Sequence, residues 1–178
     1  MTATTPSPAA AAPPLPNGFI DLEASGFGTG SYPIEVGLVL PDGETYCTLI
    51  FPEPDWRHWD SGAEKVHGIA RELLVRHGRS VQEVATELNR RLHGLTVYSD
   101  AWYHDYNWLS SLFDAAESAP QFKLEDLRLL LKPGEADRFD TVKAQVMADL
   151  NLKRHRASND AKVLQQTVLR VQQGGNTA

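Results

Sequence analysis

The chain has 178 residues, 42% hydrophobic and 22% charged, with a formal net charge of −6. That suits one soluble globular domain with a single core, and it argues against sequence-independent grip on duplex across a broad basic face. A lone cysteine, Cys47, excludes an internal disulfide and a cysteine metal site and fits a reducing, cytoplasmic compartment, while no run approaches the roughly 18 apolar residues of a membrane span.

Residues 1–16, MTATTPSPAAAAPPLP, are uncharged and rich in Ala, Pro and Thr. They lack the basic start and longer apolar centre of a secretory signal and are expected to be a disordered tail. Residues 172–178 are expected to form a second, frayed tail, which leaves 17–171 as the domain.

Residues 18–24 read as a first strand, broken by the glycines of Ser25-Gly26-Phe27-Gly28-Thr29-Gly30. Residues 33–40 read as a second strand and 45–51 as a third, joined by the turn Pro41-Asp42-Gly43-Glu44, whose Asp-Gly pair is a strong hairpin signal. The opening is therefore an antiparallel meander. Residues 52–60 are loop. Residues 62–76 are expected to form one helix on Val66, Ile69, Leu73 and Leu74. Ser80-Val81-Gln82-Glu83 is a capping box opening a helix that Gly94 ends. Leu95 to Ser99 is a fourth strand, and 104–117 a helix packed through Leu109, Leu112 and Phe113. Residues 124–132 and 135–150 are expected to be helical around Pro133-Gly134, and 156–173 to form the last helix. Strands first, then alternating helix and strand, give an α/β layer fold with a mixed sheet.

The chemistry concentrates on the first strand. In Phe19-Ile20-Asp21-Leu22-Glu23, positions two apart share a face, so Asp21 and Glu23 point out side by side while Ile20 and Leu22 face a core. Two carboxylates 4 Å apart repel by roughly 4 kcal/mol at an effective dielectric of about 20. A divalent cation offsets this best, and hard oxygen ligands suit Mg²⁺ or Mn²⁺. Further acids stand in Trp102-Tyr103-His104-Asp105-Tyr106-Asn107-Trp108-Leu109 and in His155-Arg156-Ala157-Ser158-Asn159-Asp160-Ala161.

In this order the motifs resemble the DEDDh branch of the DnaQ-like 3′–5′ exonucleases. The family's Asp-x-Glu, small residue, Thr or Ser, Gly matches Asp21 to Gly26. Its His-Gly-Ile matches His67-Gly68-Ile69. Its second-motif aspartate with leucine four residues on fits Asp105 and Leu109, and its His-x-Ala-x-x-Asp-Ala fits His155, Ala157, Asp160 and Ala161. The sister branch has tyrosine four residues before the last aspartate; that position is Arg156 here. Where the family usually has His-Asn before the second aspartate, this chain has Asp100-Ala101.

The resemblance covers about residues 18–170 and implies a ribonuclease-H-like fold with a mixed central sheet of about five strands flanked by helices. It implies 3′–5′ exonucleolytic release of nucleoside 5′-monophosphates from a nucleic acid 3′ end, single-stranded, with DNA against RNA left open. Two divalent cations, Mg²⁺ or Mn²⁺, would be held by Asp21, Glu23, Asp105 and Asp160, whose four charges two such ions balance. Asp21 would bridge both ions, Glu23 and Asp160 would complete the one beside the attacking water, and Asp105 would support the second. His155 would be the general base, its ordinary pKa of about 6.5 suiting that role. Ser25, Gly26, Phe27 and His67 would hold the terminal nucleotide. Phe27 is read as a base-stacking ring or a core phenylalanine, and His67 as a sugar or base contact or a helix-surface histidine. Lys153, Arg154 and Arg156 could draw a strand in by its phosphates, whereas Trp102, Tyr103, Tyr106 and Trp108 suit packing. Several small family members are homodimers, so that state is open. The alternatives are a catalytically degenerate domain that binds nucleic acid or a partner protein, and an endonuclease on the same scaffold.

Overall fold

A computed structural model describes residues 17–174. The Ala/Pro-rich stretch 1–16 and the end of the second tail, 175–178, lie outside the described residues. Five strands form one sheet: β1 (Gly18–Ala24), β2 (Pro33–Val39), β3 (Thr45–Leu49), β4 (Thr96–Ser99) and β5 (Lys123–Asp126). Their order is β3-β2-β1-β4-β5. The first three strands are antiparallel, as the Asp42-Gly43 turn predicts, while β4 runs parallel to β1 and β5 parallel to β4. The acid-bearing strand is therefore the middle one.

Helices cover both faces of the sheet, which is why β2 is buried along its whole length and reads as a nearly continuous apolar run. On one face Ile20, Leu22, Val36 and Leu38 pack against α3 (Val81–Leu92) and α4 (Trp102–Ala115) through Val84, Leu88, Leu109 and Leu112. On the other, Phe19 and Val39 meet α6 (Ala157–Gln173) through Ala161, Leu164, Val168 and Val171, with Phe139 of α5 (Pro133–Leu150) behind. The switch from Leu38 to Val39 between the two cores is the period-2 pleat at work. No helix among the described residues is long and apolar enough to cross a membrane.

The expected single helix over 62–76 is two, α1 (Ser61–His67) and α2 (Arg71–His77). Gly68 takes φ +68° and closes α1 in the left-handed conformation, and Ile69 then turns into the core beside Tyr32, Ile34 and Leu74. The helix expected over 124–132 is instead the edge strand β5 followed by a short 3₁₀ turn, Leu127–Leu130. Lys-Leu-Glu-Asp has little strand propensity; pairing with β4 decides its conformation. Helix α5 starts at Pro133, two residues before the expected 135, with proline at its first helical position and the Glu135 carboxylate accepting the Lys132 N–H at 2.9 Å. Helix α6 continues through Gln172 and Gln173, which the expected tail had included. The capping box of α3 forms as read, with the Ser80 N–H donating to Glu83 at 3.0 Å and the Glu83 N–H to Ser80 Oγ at 3.3 Å.

Candidate active site

Five expected site residues arrive from three distant stretches of chain. Asp21 and Glu23 leave β1 on one face. Just past Glu23 the β1–β2 register slips, the partner changing from Glu35 to Pro33, and such an irregularity turns the following chain away. Asp105 sits in the first turn of α4 and Asp160 in the first turn of α6, where the positive end of a helix favours an acid. His155 precedes α6 with φ +56°, a left-handed conformation uncommon for a residue with a side chain. All five line one cleft of about 570 Å³. Ligand atoms of Glu23, His155 and Asp160 lie within 4.8 Å of one another.

The carboxyls crowd. Burial, then Asp105, Glu23 and Asp160, push Asp21 well above the usual carboxylate range. Burial first, then Asp160 and Glu35, raise Glu23 to about 8. Burial raises Asp105 to about 7 against the opposing hydrogen bond from Ser99, and burial raises Asp160 against the pull of His155. Asp105 is 1% exposed. Ser99 Oγ donates to its Oδ2 and accepts the Ala101 N–H, while its Oδ1 is buried with no hydrogen-bond partner of normal geometry among the described residues. An oxygen-rich set with an unsatisfied buried carboxylate oxygen fits a hard divalent cation, as the sequence expects.

The expected substrate residues divide. Gly26, Phe27 and His67 line the cleft. Phe27 is 67% exposed, which settles it as a surface ring and not a core one. Its ring centroid lies 5.1 Å from His104 and 5.8 Å from Trp108. His67 is 2% exposed, so the helix-surface reading fails. Its Nδ1 accepts the Ile69 N–H at 3.0 Å, which leaves the proton on Nε2, a buried donor with no partner among the described residues. Burial also lowers its pKa, which favours the neutral ring. Ser25 departs from the expectation. It is 1% exposed and its hydroxyl accepts the Tyr32 N–H at 3.1 Å and meets His58 Nδ1 at 3.0 Å. It shapes the loop that presents Gly26 and Phe27 and is not itself on the cleft.

Sequence reasoning missed three participants. Lys143 of α5 lines the cleft and forms an ion pair with Asp100, the residue standing where a histidine is usual. Nothing in the polar face of α5 signals this. Ser99 orients Asp105 and carries no local signal either. Glu35 is fully buried in β2 and bound by Arg156 at 2.6 Å; an acid inside the apolar run Pro33–Val39 was the visible clue. Of the aromatic residues read as packing, Trp108 is buried, whereas Tyr103 and Tyr106 are 68% and 50% exposed.

No protein-family model matches the sequence, and no curated protein matches it. Solved structures match its fold. E. coli exonuclease I in complex with a dA16 oligonucleotide superposes with a TM-score of 0.66 at 13% identity, over 89% of this chain and 41% of that one. Exonuclease I from the moderately thermophilic Methylocaldum szegediense gives 0.62 at 14%, over 88% and 40%. A full-length 3′-exonuclease gives 0.65 at 16%, over 89% and 81%. The chain thus has the ribonuclease-H-like fold of the DnaQ-like exonucleases, and it spans about two fifths of the length of the exonuclease I structures.

Proposed function

We propose that this chain is a metal-dependent 3′–5′ exonuclease of the DEDDh type, releasing nucleoside 5′-monophosphates from a single-stranded 3′ end. One observation carries the reading: Asp21, Glu23, Asp105 and Asp160 converge with His155 on a single cleft, where burial and mutual crowding push the carboxyls above their usual range. Such a cluster costs folding free energy unless a cation relieves it.

Asp21, Glu23, Asp105 and Asp160 would hold two Mg²⁺ or Mn²⁺ ions. Bound there, divalent ions neutralise the phosphate, polarise the attacking water and stabilise the leaving oxygen. The rest falls to the chain. His155 accepts the proton of the attacking water at a ring nitrogen. The water oxygen bonds to phosphorus, the bond from phosphorus to the 3′ oxygen of the preceding nucleotide breaks, and that oxygen takes a proton from solvent. His67 Nε2–H donates to an acceptor of the terminal nucleotide. Phe27, with its ring at the mouth, stacks on an unpaired base, a contact of about 1–3 kcal/mol. The fold shared with an oligonucleotide-bound exonuclease I and with a 3′-exonuclease supports a nucleic acid 3′ end as the substrate. A reducing, cytoplasmic setting accords with the free Cys47.

The test uses 5′-labelled single-stranded DNA and RNA of one sequence, with Mg²⁺, Mn²⁺ or EDTA, beside Asp21→Asn. Metal-dependent single-nucleotide steps that the variant lacks are expected, and the faster substrate identifies the sugar preferred. Scattered internal cuts would mean an endonuclease. Binding without cleavage would mean a degenerate binding domain.

A further inference from the structure

Helix α6 begins without a cap of its own. Arg156 occupies its N-cap position with extended backbone and gives it no side-chain hydrogen bond. The missing acceptor comes from the sheet: Glu35 Oε2 accepts the Ala157 N–H at 2.9 Å. The same carboxylate takes the Arg156 guanidinium, Nε at 3.0 and 3.2 Å and one terminal nitrogen at 2.6 Å. Glu35 is fully buried and Arg156 closes over it from the solvent side. Two strand positions on, Gly37 lies so near α6 that a β-carbon there would sit 2.0 Å from the Ser158 nitrogen. Strand β2 and the first turn of α6 are therefore locked at two points. His155 is the residue immediately before this lock, in a left-handed conformation of the kind that persists only where its surroundings over-determine it.

We propose that Glu35 and Arg156 are positioning residues for the reaction: the buried clamp between β2 and the start of α6 fixes the backbone of His155 and aims it, with Asp160, at Glu23. The proposal rests on the exonuclease reading for its catalytic consequence and on the geometry alone for the clamp. It removes Arg156 from the residues available to grip phosphate, because its fork is filled by a carboxylate in the bidentate geometry arginine favours. It also explains how a buried acid is tolerated in the strand beside the metal-ligand acids. Glu35 pairs directly across the ladder with Glu23, and the guanidinium bound to it there opposes part of its push on Glu23.

Two variants test this, Glu35→Gln, which keeps the shape and an acceptor for Ala157 but loses the charge, and Arg156→Lys, which keeps the charge but loses the fork. Hydrogen exchange of the 151–161 amides is read in metal-free protein, and kcat and KM are read separately on a labelled single strand. Faster exchange confined to this stretch is expected in both variants, by roughly tenfold. A kcat lower by roughly 10²-fold should accompany it, with KM within about threefold, because misplacing a catalytic group by about 1 Å costs that much rate. Unchanged exchange together with unchanged kcat overturns the clamp. A raised KM with a shallower salt dependence and native kcat in Arg156→Lys overturns it too, in favour of a phosphate contact. If the native protein shortens no strand while exchange in the variants rises as expected, the exonuclease reading falls and the clamp stands.

Discussion

Glu23 and Glu35 face each other across the β1–β2 ladder, two acids of one type a strand apart in opposite circumstances. Glu35 is bound by Arg156 and caps a helix. Glu23 stands among Asp160, Asp105 and Glu35 itself, and burial with that company raises it to about 8. The fold thus gives one buried acid a cationic partner and leaves its neighbour among carboxylates.

That crowding sets the pH dependence of the metal-free protein. Glu23, Asp105 and Asp21 have folded pKa values raised above those of the unfolded chain, so the folded state binds more protons. The stability they allow is fully present below about pH 4 and is lost as pH rises through about 7 to 8. In EDTA the melting temperature should fall between pH 5.5 and 8.5, by roughly 5 °C or more. Millimolar Mg²⁺ should flatten the profile by binding the folded state alone. A flat profile in EDTA would mean that the acids are solvated.

Asp21→Asn and His155→Ala should separate binding from chemistry. The first removes a central acid, so it should abolish most of the Mg²⁺-induced rise in melting temperature while leaving the EDTA form at pH 8 at least as stable as the native protein. His155→Ala should keep the metal-induced rise and lose about 10²–10⁴-fold in kcat. Loss of that rise in His155→Ala would assign the histidine to the cation, which its closeness to Glu23 and Asp160 allows.

Lys143 pairs with Asp100 at the cleft wall, and both side chains are about one third exposed. Exposed pairs of this kind add little stability, about 0–1 kcal/mol, so on the proposed function the lysine exchanges its partner for a phosphate at little cost. Lys143→Met should raise KM about threefold to tenfold, leave kcat near native, and reduce the salt slope of single-strand binding by about 0.7. An unaltered slope would confine Lys143 to balancing Asp100.

Gly37→Ala places a methyl group against backbone atoms of Ala157 and Ser158 that have no room to move aside. A loss of about 1–3 kcal/mol is expected, read by urea unfolding, with activity lost in still-folded protein because the start of α6 shifts. A variant of native stability and turnover would show that sheet and helix part easily there.

The acid pair was readable because strand periodicity alone aligns Asp21 with Glu23, and the five-residue step from His155 to Asp160 because it straddles a helix start. The meander and the α3 capping box were readable from local turn and cap chemistry. What escaped was non-local. The four residues of β5 become a strand through β4, and a four-residue Lys-Leu-Glu-Asp carries no signal of that. Gly68 was visible, yet its role in splitting 62–76 depends on Ile69 finding a pocket made by Tyr32 and Leu74. Ser25 sits within a substrate motif, but its hydroxyl is consumed by Tyr32 and His58. Lys143 reaches Asp100 across 43 positions of chain, beyond the range of any periodicity.

The candidate site residues come from β1, α4 and the approach to α6, and α6 is the last element described. A ribosome makes them in that order. While the chain is emerging, Asp21, Glu23 and Asp105 can be in place, but the histidine and the fourth acid are not, and the docking partners that aim them, Glu35 and Gly37, wait on β2. On the proposed reading, the constellation is therefore incomplete until α6 has closed onto the sheet.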